Sequence, residues 1–239
     1  MSEKRPAYIV VEGPIGVGKT TLAKRLARSL DSALFLEAPE ENPFLQQFYS
    51  DPVRTALPTQ LSFLFQRAKQ AQALRQGDMF RPTRVADFMM EKDRLFARLN
   101  LTSEELNLYN LLYQQLAIEP PAPDLVIYLQ APVEVLKERI ARRRHDYEKN
   151  ISSAYLTRLV DAYVEFFYHY AQSPLLIVNT ADVNLADGLR EYEALLAMVR
   201  HGPVGKQFVN LHAGAYPPPE PLAAIGGQSP RRASQEEQA

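Results

Sequence analysis

Residues 13–21 read Gly-Pro-Ile-Gly-Val-Gly-Lys-Thr-Thr. Gly13, four further residues and then Gly18-Lys19-Thr20 match the spacing G-x-x-x-x-G-K-[ST]. Before the loop, Ala7-Tyr8-Ile9-Val10-Val11 is a short apolar, β-branched run with the character of a buried strand. After it, Leu22, Ala23, Leu26, Ala27 and Leu30 recur at helical spacing, with Lys24, Arg25 and Arg28 between them. A strand must therefore hand the chain through bare backbone to a helix N-terminus. Successive loop N–H groups form a nest for anionic oxygens, and the helix end adds free donors and a positive dipole end. This predicts a triphosphate site on Gly13, Pro14, Ile15, Gly16, Val17, Gly18, Lys19, Thr20 and Thr21. Lys19 is placed to reach the β- and γ-phosphates, and the Thr20 hydroxyl to ligate Mg²⁺.

The remaining pattern extends that unit. Strand-like runs recur at 33–36, 84–86, 125–129 and 175–178, with helical patterns near 57–76, 90–98, 103–117, 133–143, 153–171 and 185–200. Alternation of this kind predicts an α/β fold of the P-loop NTPase type. The expected architecture is a three-layer sandwich, a parallel five-stranded sheet with helices on both faces. Active groups then gather at the carboxyl ends of the strands. Residues 1–6 read as a lead, 7–200 as the folded domain, and 201–239 as a disordered tail rich in Pro, Gly and polar residues.

The formal net charge of −1 offers no global field for nucleic acid. The chain has no cysteine, which excludes disulfides and thiolate metal sites. No run of roughly 18 uncharged apolar residues occurs. A cytoplasmic protein with no membrane or nucleic-acid partner is the expectation.

Three features bear on what the phosphate is for. Glu37 ends the second strand, where a carboxylate can accept the proton of an attacking hydroxyl. Glu40 and Glu41 are near rivals for that role. Asp87 ends the third strand and suits Mg²⁺, directly or through water. The run Arg139-Ile-Ala-Arg142-Arg143-Arg144-His145 follows the helix after the fourth strand. It reads as an Arg-rich lid, at about 142–150, that neutralises transition-state charge.

These residues resemble the deoxynucleoside kinase family, which includes deoxycytidine and deoxyguanosine kinases and their bacterial relatives. The likeness runs from about 7 to about 198. It rests on the phosphate loop, on Glu40 to Pro52 followed by Thr59-Gln60-Leu61, and on Arg144 to Ile151. The resemblance implies ATP-dependent, Mg²⁺-assisted phosphorylation of a deoxynucleoside 5′-hydroxyl, with Glu37 as base and Lys19 and Arg143 as catalytic cations. It implies that Tyr49 and Glu148 hold the sugar 3′-hydroxyl and that Gln60 reads the base edge. It places Arg67 and Asp93 as a base-reading pair, Asp93 lying six after Asp87 as the family spacing requires. Gln60 and Arg67 are seven apart, about two helical turns, and so share a face. An Arg–Asp pair favours a purine deoxynucleoside (deoxyguanosine or deoxyadenosine), or deoxycytidine, over thymidine. Asn179-Thr180-Ala181-Asp182 lies where the family wraps the donor adenine. A homodimer is the family expectation.

The chain departs from the family at Asp87-Phe88-Met89, where the family has a carboxylate followed by Arg-Ser. Arg94, Lys92 and the lid are the candidates for the missing positive charge. His145 stands where the lid usually has arginine. The rival readings are a nucleoside monophosphate kinase of thymidylate-kinase type and an NTP-binding regulatory ATPase.

Overall fold

The computed structural model describes residues 6–76, 83–116, 119–143, 145–183, 185 and 188–211. The expected lead up to residue 5, Arg144 of the lid and the tail from 212 onward lie outside them.

A parallel sheet forms the middle layer. Its strands are β1 (Tyr8–Glu12), β2 (Ala33–Phe35), β3 (Arg84–Ala86), β4 (Leu125–Gln130), β5 (Leu175–Asn179) and β6 (Lys206–Asn210), in the spatial order β2-β3-β1-β4-β5-β6. The helices are α1 (Lys19–Ser29), α2 (Leu45–Phe48), α3 (Pro52–Gln76), α4 (Met90–Asn100), α5 (Ser103–Gln115), α6 (Val133–Arg143), α7 (Ser153–His169) and α8 (Leu189–His201).

The central strands are apolar without alternation because both faces are covered. Along β1, Ile9 and Val11 face one side, packing with Leu22 and Leu26 of α1 and Leu195 and Val199 of α8. Val10 faces the other side with Tyr163 and Phe167 of α7. A third apolar cluster, built on Leu64, Met90, Ala97 and Tyr109, fastens α3, α4 and α5 together outside the sheet. That cluster stiffens the wall on which Gln60 and Arg67 stand.

Two sequence expectations change. The sheet has six strands among the described residues, because Lys206–Asn210 pairs in parallel with β5, Leu175 opposite Lys206 and Asn179 opposite Asn210. This segment falls within the stretch expected to be a tail. Its local signal is faint because an edge strand buries little: Phe208 is 75% exposed and Val209 carries the packing at 1%. Helix α3 also begins at Pro52 and runs through Pro58, rather than starting near 57. Proline reads as a first-turn residue. Here the carbonyl it leaves unpaired, four residues back at Arg54, lies in an exposed first turn where Val53 is 86% exposed, so solvent can take it.

Candidate active site

The phosphate loop follows from its glycines. A Cβ on Gly13 would sit 2.5 Å from the Leu129 carbonyl oxygen of β4, so the loop can pass that strand only with glycine there. Gly18 is open to its surroundings, but its φ of 106° belongs to glycine. Lys19 extends back along the loop and donates to the Gly13 and Pro14 carbonyls at 2.8 and 3.1 Å. Burial and the neighbouring Lys92 hold its ammonium down to about 8. The Thr20 hydroxyl donates to Asp87 Oδ2 at 2.6 Å, and Asp87 Oδ1 accepts the Glu37 N–H at 2.8 Å. Asp87 thus joins the loop to the end of β2.

Sequence reasoning passed over Glu12, the last residue of β1. It is fully buried. Its Oε2 accepts from the Gly13 N–H at 2.9 Å and the Tyr163 hydroxyl at 3.1 Å, and its Oε1 from the Met89 N–H at 3.1 Å. One carboxylate therefore holds the start of the phosphate loop, the start of α4 and the middle of α7. Burial raises its pKa, and Lys92 and Lys19 only partly offset this. The available signal was an acidic residue ending an otherwise apolar strand directly before the loop.

Glu37 is the centre of the cavity's charge. Arg67 Nη2 donates to its Oε1, and Lys92 Nζ donates to its Oε2 at 2.7 Å. Burial alone would push this carboxyl up, but Lys92 and Arg67 outweigh it and hold it down to about 2. Glu40 also faces the cavity but has neither cation among its hydrogen-bond partners in the structure. Of the candidates for the missing positive charge, Lys92 is buried at 5% and on Glu37. Arg94 points away, its guanidinium 5.0 Å from the Tyr113 ring centroid.

A cavity of about 470 Å³ extends from this centre. Its α3 wall carries Thr59, Gln60, Phe63 and Arg67, and Tyr49 and Glu148 line it on the side of α2 and the lid. Gln60 Oε1 and Glu148 Oε2 are buried with no hydrogen-bond partner, acceptors left for something that enters. No bond joins Tyr49 to Glu148. Asp93 does not reach the wall: it is fully buried behind Arg67, which binds its Oδ1, while the Tyr109 hydroxyl binds its Oδ2.

The arginines of the lid divide. Arg139 is committed to carbonyls, donating to Thr180 O at 2.5 Å, Val17 O at 3.3 Å and Val183 O at 3.3 Å, and so braces the phosphate loop against the turn after β5. Arg142 pairs with Glu138 at 2.7 Å on the exposed face of α6. Arg143 turns to the cavity, 3.9 Å from Glu148 Oε1, and His145 stacks on Tyr147 with centroids 5.3 Å apart. A second cavity, of about 520 Å³, opens on the other side of the loop between Gly18, Thr21, Arg139, Arg142 and Thr180 to Asp182.

A phosphate loop, a carboxylate at the end of β2 and an adjoining cavity with unpartnered amide and carboxylate oxygens suit transfer of a phosphoryl group to a small hydroxyl compound. Comparison with known proteins agrees. Residues 9–202 match the family described as deoxynucleoside kinase. The chain belongs to the deoxynucleoside kinase family. It is an enzyme, a nucleotide-binding kinase. It is 31% identical to a deoxyguanosine kinase from Bacillus subtilis over 202 residues, covering 81% of this chain and 96% of that one. It is 33% identical to a deoxyadenosine kinase from Dictyostelium discoideum over 211 residues, covering 82% and 83%. The fold superposes on a deoxyadenosine kinase from M. mycoides solved with bound dATP, with a TM-score of 0.69, 25% identity, and coverage of 80% and 99%. Among the described residues no helix is long and apolar enough to cross a membrane.

Against the family pattern, Lys92 is the informative residue. It stands five positions beyond Asp87 rather than directly after it, yet the first turn of α4 brings it to Glu37.

Proposed function

We propose that this kinase transfers the γ-phosphate of ATP to the 5′-hydroxyl of a deoxynucleoside, a purine deoxynucleoside or deoxycytidine. The observation that carries the reading is Glu37. It is a carboxylate kept ionised at the junction of the phosphate loop and the 470 Å³ cavity.

In this reading the sugar lies between Tyr49 and Glu148, with its 3′-hydroxyl donating to the unpartnered Glu148 oxygen, and the base lies along Gln60 and Arg67. The 5′-hydroxyl is directed at Glu37. As the 5′-oxygen forms its bond to the γ-phosphorus, the bond from that phosphorus to the β–γ bridging oxygen breaks, ADP leaves, and the hydroxyl proton passes to Glu37. A carboxylate held this low is a weak base. That suits a loose transition state, in which little bonding to the incoming oxygen has formed and its proton departs late. Lys19, Lys92 and Arg143 supply positive charge around the transferring group. Lys92 takes the part of the arginine that the family carries after the third-strand carboxylate. The Thr20 hydroxyl and Asp87 carboxylate are an all-oxygen donor set that fits Mg²⁺, an ion that otherwise leans on phosphate oxygens and water. When bound there it neutralises charge across the β- and γ-phosphates. The second cavity, beside Thr180 to Asp182, takes the donor nucleoside.

A homodimer accords with the apolar side chains that α3 and α5 leave in solvent, Phe65 at 48%, Leu108 at 46% and Leu111 at 60% exposed. Sedimentation velocity at micromolar protein decides it.

The deciding experiment is phosphotransfer from Mg·ATP to deoxyguanosine, deoxyadenosine, deoxycytidine, thymidine and their monophosphates. Turnover on the nucleosides, with thymidine last, is expected. Turnover on monophosphates alone, or ATP hydrolysis indifferent to every acceptor, overturns the reading.

A further inference from the structure

The two residues assigned to the sugar reach the cavity from elements far apart in the chain. Tyr49 directly follows α2, and Glu148 stands in the lid, in the short 3-10 turn Asp146–Glu148. No bond joins them, yet they share one space. Burial raises the Tyr49 phenol well above its ordinary value, and Tyr155 and then Glu148 push it further. Their spacing is therefore set by what ties α2 to the lid. At the base the tie is apolar. Tyr155, in the first turn of α7, packs edge-on against Phe48 and Tyr49 with centroids 6.1 and 6.0 Å away, and Ile151 packs on the same cluster. At the rim the tie is polar. Asn150 Nδ2 donates to Ser50 Oγ at 3.0 Å, across 100 positions of chain. Ser50 sits on a fixed turn, since its own N–H and that of Asp51 both donate to the Gln47 carbonyl, at 3.0 and 2.8 Å. On the other side the Ile151 N–H donates to the Glu148 carbonyl at 3.2 Å, so Asn150 and Glu148 belong to one turn. Ser50 and Asn150 are exposed, and neither lines the cavity.

We propose that Ser50 and Asn150 are positioning residues: their hydrogen bond closes the rim between α2 and the lid and fixes the spacing at which Tyr49 and Glu148 meet the acceptor's 3′-hydroxyl. That hydroxyl has to accept from the Tyr49 phenol and donate to Glu148 Oε2 at once. An O–H···O bond is good over a window of about 0.5 Å, so a rim that opens further than this loses one of the two. The aromatic contact at the base does not set the spacing alone, because apolar packing is non-directional. The Asn150–Ser50 bond is directional, and it lies one residue from Tyr49 and two from Glu148. The donor side is held differently. Arg139 braces the phosphate loop and the turn after β5, with no contact to the rim. Opening the rim therefore touches the acceptor and spares ATP.

The inference rests on the deoxynucleoside kinase reading above, and its test separates the two. The acceptor is the deoxynucleoside that the wild-type enzyme uses best, and its 2′,3′-dideoxy counterpart serves as an inhibitor lacking the hydroxyl in question. Asn150→Ala is expected to raise KM for the deoxynucleoside about fivefold, the worth of one hydrogen bond. KM for ATP and Ki for the dideoxynucleoside are expected to move by less than about twofold. Ser50→Ala should do the same, and the double variant should be no worse than either single one, because each removes the same bond. Ser50→Thr keeps the hydroxyl and should keep the wild-type KM. Both positions are exposed, so Tm is expected to stay within about 2 °C in every variant. An unchanged acceptor KM overturns the inference and leaves the kinase reading intact. So does a Ki that rises in step with KM, because the loss then does not pass through the 3′-hydroxyl, and so do losses that add in the double variant. Alanine variants that fail to fold show that the pair supports the fold, which overturns it as well. A wild-type enzyme that phosphorylates no deoxynucleoside removes the kinase reading and this inference with it.

Discussion

Glu12, fully buried, and Glu37, largely buried with its side chain 16% exposed, are carboxylates near the carboxyl ends of two strands that flank β3, yet they are pushed in opposite directions. Glu12 has three donors, of which two are backbone N–H groups and one is a tyrosine hydroxyl, and no cation in contact; burial prevails and its pKa rises. Glu37 has a lysine and an arginine in direct contact, and these overcome burial and hold it down to about 2. Burial is common to both, so the partners decide. Neutral donors anchor Glu12 as part of the frame. Cations keep Glu37 charged and facing the cavity, where a hydroxyl can meet it. The consequences for stability have opposite signs. The Glu37 contribution is present above the unfolded value of about 4.5 and is lost as pH falls toward 2, whereas the Glu12 contribution is present below 4.5 and is lost as pH rises through its higher folded value.

The contrast is open to direct attack. The largest effect belongs to Glu37→Gln, which keeps the shape and abolishes the proton acceptor. Its kcat is expected to fall by about 10²- to 10⁴-fold, with KM for ATP little changed. Steady-state kinetics in both substrates check this, and unchanged turnover removes Glu37 from the reaction. Lys92→Met comes next. It deletes a cation from Glu37 and from the transferring group, and a loss of about ten- to a hundredfold in kcat/KM is expected. The acid limb of the pH–rate profile should also move upward, because the carboxyl loses the partner that most strongly lowers it. Lys92→Arg should restore most of the rate. An acid limb that stays in place in Lys92→Met separates Lys92 from Glu37. The smallest effect is that of Glu12→Gln, which sets an amide nitrogen against backbone donors while removing a buried charge. A net loss of about 1 to 2 kcal/mol is expected, read as a fall of about 2 to 8 °C in Tm, with KM for ATP rising as the loop loosens. An unaltered Tm and KM would show that Glu12 does not hold the loop.

Much of the site could be read in one dimension because its parts are local. The phosphate loop is a single run between a strand and a helix. Glu37 and Asp87 announce themselves by position at strand ends. Gln60 and Arg67 share a helix face, and the structure brings both to the cavity. Less legible were features with weak or misleading local signals: β6, whose burial rests on Val209, and the first turn of α3, which Pro58 disguises.

What the sequence determined by itself, then, is the alternating α/β order, the glycine loop with Lys19 and Thr20, and the carboxylates at the active edge of the sheet. Each follows from periodicity or from bond geometry within a short span of chain. Only the tertiary structure decided that Lys92, 55 positions from Glu37, supplies its second cation in place of Arg94. It also decided that Asp93 stands behind Arg67 under Tyr109, and that Arg139 braces carbonyls while Arg143 faces the cavity. These are pairings between charges far apart in the chain. Which cation reaches which carboxylate depends on how three helices seat against one sheet, and that is set by packing spread over the whole core.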